Sequence, residues 1–214
     1  RHLNMNSFLK LKNISKNFST EKKVRVLKKL SYKFRKGKVY SLMGPSGSGK
    51  STLLNLISLI DRPTNGSIKF DNIQVNFSEN DKNDIFRAKK IGIVYQQNNL
   101  LPDFTALENL YLASLAVNDN KKIAMLKAEE LLKKIGLINR SDHFPSQLSG
   151  GETQRIAIAR AMINDPDIIL ADEPTGSLDM KTAKDIFALL NNQKKPNRLI
   201  IFATHNRFFA KKAD

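Results

Sequence analysis

VYSLMGPSGSGKSTLLNLI, Val39–Ile57, joins a strand, a glycine-rich loop and a helix, and the rest of the architecture follows from it. Its opening residues, Val39–Met43, are apolar enough for a short buried strand. Gly44–Thr52 then satisfies G-x-x-x-x-G-K-[ST], and apolar residues recur at helical spacing through Lys50–Ile60. Strand, glycine-rich loop and helix together form the context in which this pattern makes a phosphate cradle. Gly44, Gly47 and Gly49 permit backbone conformations that aim successive N–H groups inward, and Pro45, Ser46 and Ser48 complete the loop. The helix start adds the positive end of its dipole. Lys50 can bridge β- and γ-phosphates, the Ser51 hydroxyl can ligate magnesium, and Thr52 ends the motif. A Gly/Ser turn with a solvated lysine is the alternative, and the flanking strand and helix argue against it.

Further strands are predicted at Leu9–Ile14, Leu27–Phe34, Ser67–Phe70, Ile91–Tyr95, Ile168–Ala171 and Leu199–Ala203. Helical periodicity marks Ala106–Leu115, Ile123–Ile135, Glu152–Ile163 and Thr182–Leu190. Later strands alternate with helices, which predicts a parallel sheet wound in α/β fashion. From about residue 102 to 147 only helices are read, so this segment is expected to be an inserted helical lobe within one domain, 5–214, whose core is 5–101 and 148–214. Arg1–Asn4 precede a start at Met5 and read as a tag remnant. The C-terminus at Asp214, soon after a strand and a partial helix, reads as truncated or partly ordered.

A second site signal lies in PDIILADEPTGSLD, Pro166–Asp179. An apolar run that ends in two carboxylates suits a buried parallel strand with function at its carboxyl end. Asp172 would hold magnesium through its water shell, and Glu173, facing differently, could polarise an attacking water. Loop solvation or helix capping are the bland readings of such acids.

Bulk properties bound the rest. The chain has 214 residues, 41% hydrophobic and 26% charged. No apolar run nears the roughly 18 residues that span a bilayer, and no signal sequence is read at the start. A soluble domain is expected, with any membrane role passing through a partner. Cysteine is absent, which excludes disulfides and thiolate metal sites and fits a reducing cytosol. His2, His143 and His205 show no metal-ligand spacing. The net charge of +16 invites a nucleic-acid or anionic-membrane reading. Because Lys and Asn are spread throughout, a lysine-rich background is preferred.

LSGGETQRIAIARA, Leu148–Ala161, discriminates most sharply. Ser149, Gly150 and Gly151 open a helix, and a helix N-terminus is ready for an anion. A second such surface is redundant in one small domain unless it serves another molecule's ligand. An ordinary Ser-capped helix is the alternative. This stretch resembles the signature of ABC ATPases, with Thr153 where many members have arginine. The resemblance covers essentially the whole chain apart from its ends. It implies a nucleoside-triphosphatase fold of mainly parallel sheet, with an antiparallel β portion and the helical lobe. Gly44–Thr52 becomes the ATP cradle and Asp172–Glu173 the end of the Walker B strand. Leu148, Ser149, Gly150, Gly151 and Gln154 become the signature acting on a second subunit's ATP.

The same resemblance implies a metal-sensing glutamine at Gln96, with Gln97 the alternative, and a D-loop acid at Asp179, which could instead cap the next helix. It places His205 at the switch position, where a surface histidine is the alternative. It also sets Phe18 against adenine, where a core phenylalanine is nearly as good a reading. ATP and magnesium are the implied cofactors, Glu173 and His205 the catalytic pair. The implied partners are a second copy upon ATP binding and separate transmembrane permease subunits docking near Gln96–Leu115, at the cytoplasmic face of the inner membrane. Within the family, Tyr95–Leu110 and Leu59–Gly66 are most similar to ATPases of lipoprotein-releasing systems. Macrolide-export and cell-division ATPases share the second stretch and match the first less closely. ABC ATPases acting on DNA or ribosomes remain a separate class, disfavoured because this chain has no tandem domain or long coiled-coil insertion.

Overall fold

The computed structural model describes residues 7–19, 23–117 and 120–214, without the side chains of Ser19 and Lys23. The tag remnant expected at Arg1–Asn4 lies outside them.

Two sheets share one core. The first is antiparallel, built from β1 (Leu9–Ser19), β2 (Lys23–Phe34), β4 (Asn65–Phe70) and β5 (Ile73–Gln74) in the order β2-β1-β4-β5. Its inward residues alternate along β1 and β4, with Leu9, Leu11, Ile68 and Phe70 buried, as the period of two requires. The second is parallel, with β3 (Val39–Met43), β6 (Ile91–Val94), β7 (Ile168–Asp172) and β8 (Leu199–Thr204) in the order β3-β8-β7-β6.

Helix α1 (Lys50–Ile57) fills the space between the sheets, burying Leu53, Leu54, Leu56 and Ile57. The parallel strands are covered on both faces, which explains their continuous apolar runs. Ile168 and Leu170 of β7 point toward α1, while Ile169 and Ala171 join α6 (Met180–Asn191) and Phe209 of α7 (Arg207–Ala210) on the other face.

A third cluster belongs to the helical lobe. There α3 (Ala106–Leu115), α4 (Lys121–Lys134) and α5 (Gly150–Met162) bury Ala106, Leu110, Ala128, Leu132, Ile156 and Ala159 together. Ile158 of α5 packs in the parallel-sheet cluster instead. Helix α5 is therefore the beam that joins lobe to sheet.

Several boundaries differ from the sequence expectations. The helix expected over Lys50–Ile60 ends at Ile57, because Leu59 turns to φ 62 and Asn55 accepts from both Ile60 and Asp61. Helix α2 (Asn80–Lys90) was not expected at all. None of its residues is buried, and Ile85, Phe86 and Ala88 are its only apolar residues, too few to betray its period. Two-residue β5 is too short to show alternation. Helix α6 begins two residues before the expected Thr182, and α5 two before Glu152, since Asp179 and Ser149 cap them from just upstream.

Candidate active site

The cradle is shaped by close packing against β2. Gly49 caps α1 at φ 94. A Cβ there would stand 3.0 Å from Leu27 Cδ2 and 3.1 Å from Val26 Cγ1, so glycine satisfies both backbone and neighbours. Lys50 Nζ donates to the carbonyls of Gly44 at 2.7 Å and Pro45 at 3.0 Å, holding the ammonium over the loop. The loop residues Ser46, Gly47, Gly49, Lys50, Ser51 and Thr52 form one wall of a cavity of about 670 Å³. Gln96, Asp172, Glu173 and His205 form the other, and Val26 stands at the rim. Sequence reasoning missed Val26, whose place follows only from how β2 crosses the glycine loop.

Strand pairing gathers the second wall. Asp172 lies opposite Ala203, and Thr204 opposite Met43, so three strand ends meet where the cradle starts. Glu173 takes φ 45 and donates its N–H to the Ala203 carbonyl at 3.0 Å. This left-handed kink, which costs a non-glycine residue about 1–3 kcal/mol, turns Glu173 away from the direction of Asp172. Glu173 Oε1 lies 2.9 Å from His205 Nδ1, with the carboxylate 13% and the imidazole 66% exposed. A nearly buried carboxylate is thus linked to an exposed histidine. Gln96, not Gln97, lines the cavity. The oxygens of Ser51, Asp172 and Gln96 are a hard donor set, suited to a magnesium ion that keeps most of its shell as water and phosphate oxygen. Among the described residues no cluster of three or more His, Cys, Asp or Glu could cage a metal alone.

The signature lies outside this cavity. Ser149 caps α5 in a reciprocal box, accepting from Glu152 N at 3.3 Å while Glu152 accepts from Ser149 N at 2.8 Å. Hydrogen bonding, first from the Ser149 N–H, holds the Glu152 carboxyl below the usual range. The Ser149 hydroxyl contributes a further hydrogen bond to the same carboxylate, so Ser149 and Glu152 brace each other at the helix start. Ser149 and Gly150 are exposed, with Leu148 and Gly151 half-buried beside them. Gly151 is needed for packing: a Cβ would stand 2.7 Å from Thr182 Cγ2 of α6.

Gln154 does not fit the role expected for it. It is 3% exposed and its amide points inward to the Tyr95 carbonyl at 3.4 Å, so it cannot reach a second molecule. One helical turn beyond the exposed cap, α5 has already rotated this side chain into the domain. Asp179 is a helix cap, accepting from Lys181 N at 3.0 Å and Thr182 N at 3.1 Å. Thr182 contributes most to holding its carboxyl below the ordinary value. Phe18 is 41% exposed beside Lys16, whose ammonium is 5.0 Å from the ring centre. It is therefore not core, and it lies outside the cavity wall.

Comparison with known proteins decides the family. The sequence profile described as ABC transporter matches residues 27–176. The chain belongs to the ABC transporter family. It is an ATP-binding, ATP-hydrolysing member, and residues 27–176 span the cradle, the signature and the Walker B strand. The lipoprotein-releasing system ATP-binding protein LolD of Ehrlichia ruminantium (strain Gardel) is 44% identical over 203 residues, 94% of this chain and 89% of that protein. LolD of Rickettsia felis is 45% identical over 211 residues, 98% of this chain and 93% of its own length. An uncharacterized ABC transporter ATP-binding protein of Bacillus subtilis, YvrO, is 44% identical over 207 residues, 96% and 90%. Among solved structures, the dimeric post-hydrolysis state of the ATP-binding cassette MJ0796 bound to ADP and Pi superposes with a TM-score of 0.88. It is 41% identical, and the match covers 96% of this chain and 91% of that one.

Proposed function

We propose that two copies of this chain close head to tail over two ATP molecules and drive separate membrane subunits that release lipoproteins from the inner membrane. The observation carrying the reading is the exposed N-terminus of α5: Ser149 and Gly150 form an anion-ready surface absent from the chain's own cavity. The related MJ0796 cassette is described as dimeric with ADP and Pi, and the LolD relatives are described as parts of lipoprotein-releasing systems.

In this arrangement the cradle N–H groups and Lys50 neutralise the β- and γ-phosphates. Ser51, Asp172 and Gln96 would hold the magnesium ion, which supplies further neutralisation when bound. Glu173 accepts a hydrogen bond from the attacking water, and His205, hydrogen-bonded to Glu173, presents its other ring nitrogen toward the γ-phosphate. The signature of the second copy supplies Ser149 and backbone N–H groups from the opposite side. Hydrolysis removes the anion the two subunits share, and the dimer reopens.

No helix of the described residues is long and apolar enough to cross a membrane. In this reading the stroke is handed to the membrane subunits through a contact on the helical lobe. Leu101 and Phe104 stand 44% and 38% exposed on the loop after Gln96. Asn109, itself buried, braces that loop through bonds to Leu101, Phe104 and Thr105. A rigid apolar knob so near a metal-sensing glutamine suits a docking helix. Reconstitution with lipoprotein-releasing membrane subunits should stimulate ATPase activity, and Phe104→Asp should remove the stimulation while sparing basal turnover. Stimulation by DNA or RNA, with steep salt dependence and no response to the membrane subunits, would refute the transport reading.

A further inference from the structure

Helix α5 holds the glutamine loop at four points. Gln154 Nε2 reaches the Tyr95 carbonyl at 3.4 Å. Arg160 donates to the carbonyls of Asn98 at 2.9 Å and Asn99 at 2.6 Å. Asn98 Nδ2 donates to Thr153 Oγ1 at 2.6 Å. The Thr153 hydroxyl then donates to the Gly150 carbonyl at 2.9 Å. Two of these bonds form a relay, from Asn98 through Thr153 to Gly150.

The ends of that relay have different jobs. Asn98 lies two residues from Gln96, which lines this chain's own nucleotide cavity. Gly150 belongs to the exposed helix start that has no part in that cavity. Thr153, where the stretch departs from its family's pattern, is only 8% exposed. Its hydroxyl accepts one bond and donates the other. Gln154 and Arg160 grip backbone carbonyls and fix where the loop runs. The Asn98–Thr153–Gly150 path reaches the exposed start of α5.

We propose that Asn98 and Thr153 are positioning residues that set the signature of one subunit according to the state of the Gln96 loop in the same subunit, and so couple the two ATP sites of the dimer. The inference rests on the composite-site reading above. A shift of the Gln96 loop toward a bound nucleotide pulls Asn98. Asn98 can move without breaking its bond only if the first turn of α5 follows. That turn carries Ser149, Gly150 and Gly151 to the ATP held by the other copy.

The test uses Thr153→Val, which keeps shape but removes the hydroxyl, Thr153→Ser, which keeps the hydroxyl, and Asn98→Ala. Each is made in the wild type and in Glu173→Gln. A fluorescent ATP analogue reads affinity in the monomer, ultracentrifugation with ATP reads dimerisation in the Glu173→Gln background, and steady-state kinetics read the Hill coefficient. Monomer affinity should be unchanged in all. For Thr153→Val and Asn98→Ala, dimerisation should weaken roughly tenfold, from about threefold at each of two signatures for one lost hydrogen bond. Their Hill coefficient should fall toward one, and the double variant should be no worse than either single. Thr153→Ser should restore all three readouts.

Wild-type dimerisation and cooperativity in Thr153→Val would overturn the proposal, as would failure of Thr153→Ser to rescue. If the Glu173→Gln parent itself forms no ATP-dependent dimer, the composite-site reading fails and the coupling falls with it. A variant-specific loss against a dimerising parent distinguishes the two.

Discussion

Gly150→Asp should raise the stability of the free chain while abolishing its turnover. Gly150 is the first residue of α5 and exposed, and a Cβ there meets only Leu178 Cδ2 at 3.5 Å, an ordinary contact. A carboxylate at a helix N-terminus contributes about 0.3–1 kcal/mol through the dipole, and Asp is a better helix residue than Gly. For a chain of 214 residues that corresponds to a Tm higher by about 1–4 °C. In the closed dimer proposed above, the same carboxylate would face the partner's γ-phosphate. Two unit charges about 4 Å apart repel by about 4 kcal/mol at an effective dielectric near 20, and the dimer contains two such contacts. A penalty of about 8 kcal/mol is enough to remove the closed state at micromolar protein. Differential scanning calorimetry reads the first effect. ATP-dependent gel filtration in the Glu173→Gln background, with phosphate release in the parent, reads the second. Wild-type hydrolysis by Gly150→Asp, or loss of monomer ATP affinity equal to that of Lys50→Ala, would refute the reasoning.

Glu173→Gln keeps the size and the kinked backbone but removes the charge beside His205; turnover should fall roughly 10²–10⁴-fold with ATP binding intact, and wild-type phosphate release would exclude Glu173 as the base. Gly49→Ala should cost about 1–2 kcal/mol from its left-handed backbone alone, seen as a Tm lower by about 2–8 °C, together with weakened nucleotide binding. Glu152, with its carboxyl held below the usual range mainly by the Ser149 N–H, should stabilise the fold fully above the unfolded value of about 4.3. That contribution should vanish as pH falls through the lower folded value. Chemical denaturation of wild type and Glu152→Gln from pH 7 downward should therefore show curves that converge in acid, and parallel curves would count against the cap.

The elements whose burial is periodic were legible before any coordinates. Strands β7 and β8 and helices α1, α3 and α5 each bury a face or a whole run, and burial writes itself into the order of residues. The cradle was legible for a related reason, since a loop that wraps phosphate with its own N–H groups needs glycines at fixed spacing between a strand and a helix. Helix α2 left no such trace, because it buries none of its residues.

The site's second wall was only half written. Asp172 and Glu173 are adjacent in sequence, yet the direction of the Glu173 side chain depends on φ 45 at that residue, which no spacing reveals. Val26, Asn98 and Arg160 look like any strand valine, loop asparagine or helical arginine. Gln154 looks like part of an exposed signature, and only the rotation of α5 against β6 turns it inward to Tyr95. A sequence specifies local conformation and the chemistry of contiguous groups. Which distant groups meet depends on how helices and sheets pack, and that packing is a property of the whole core.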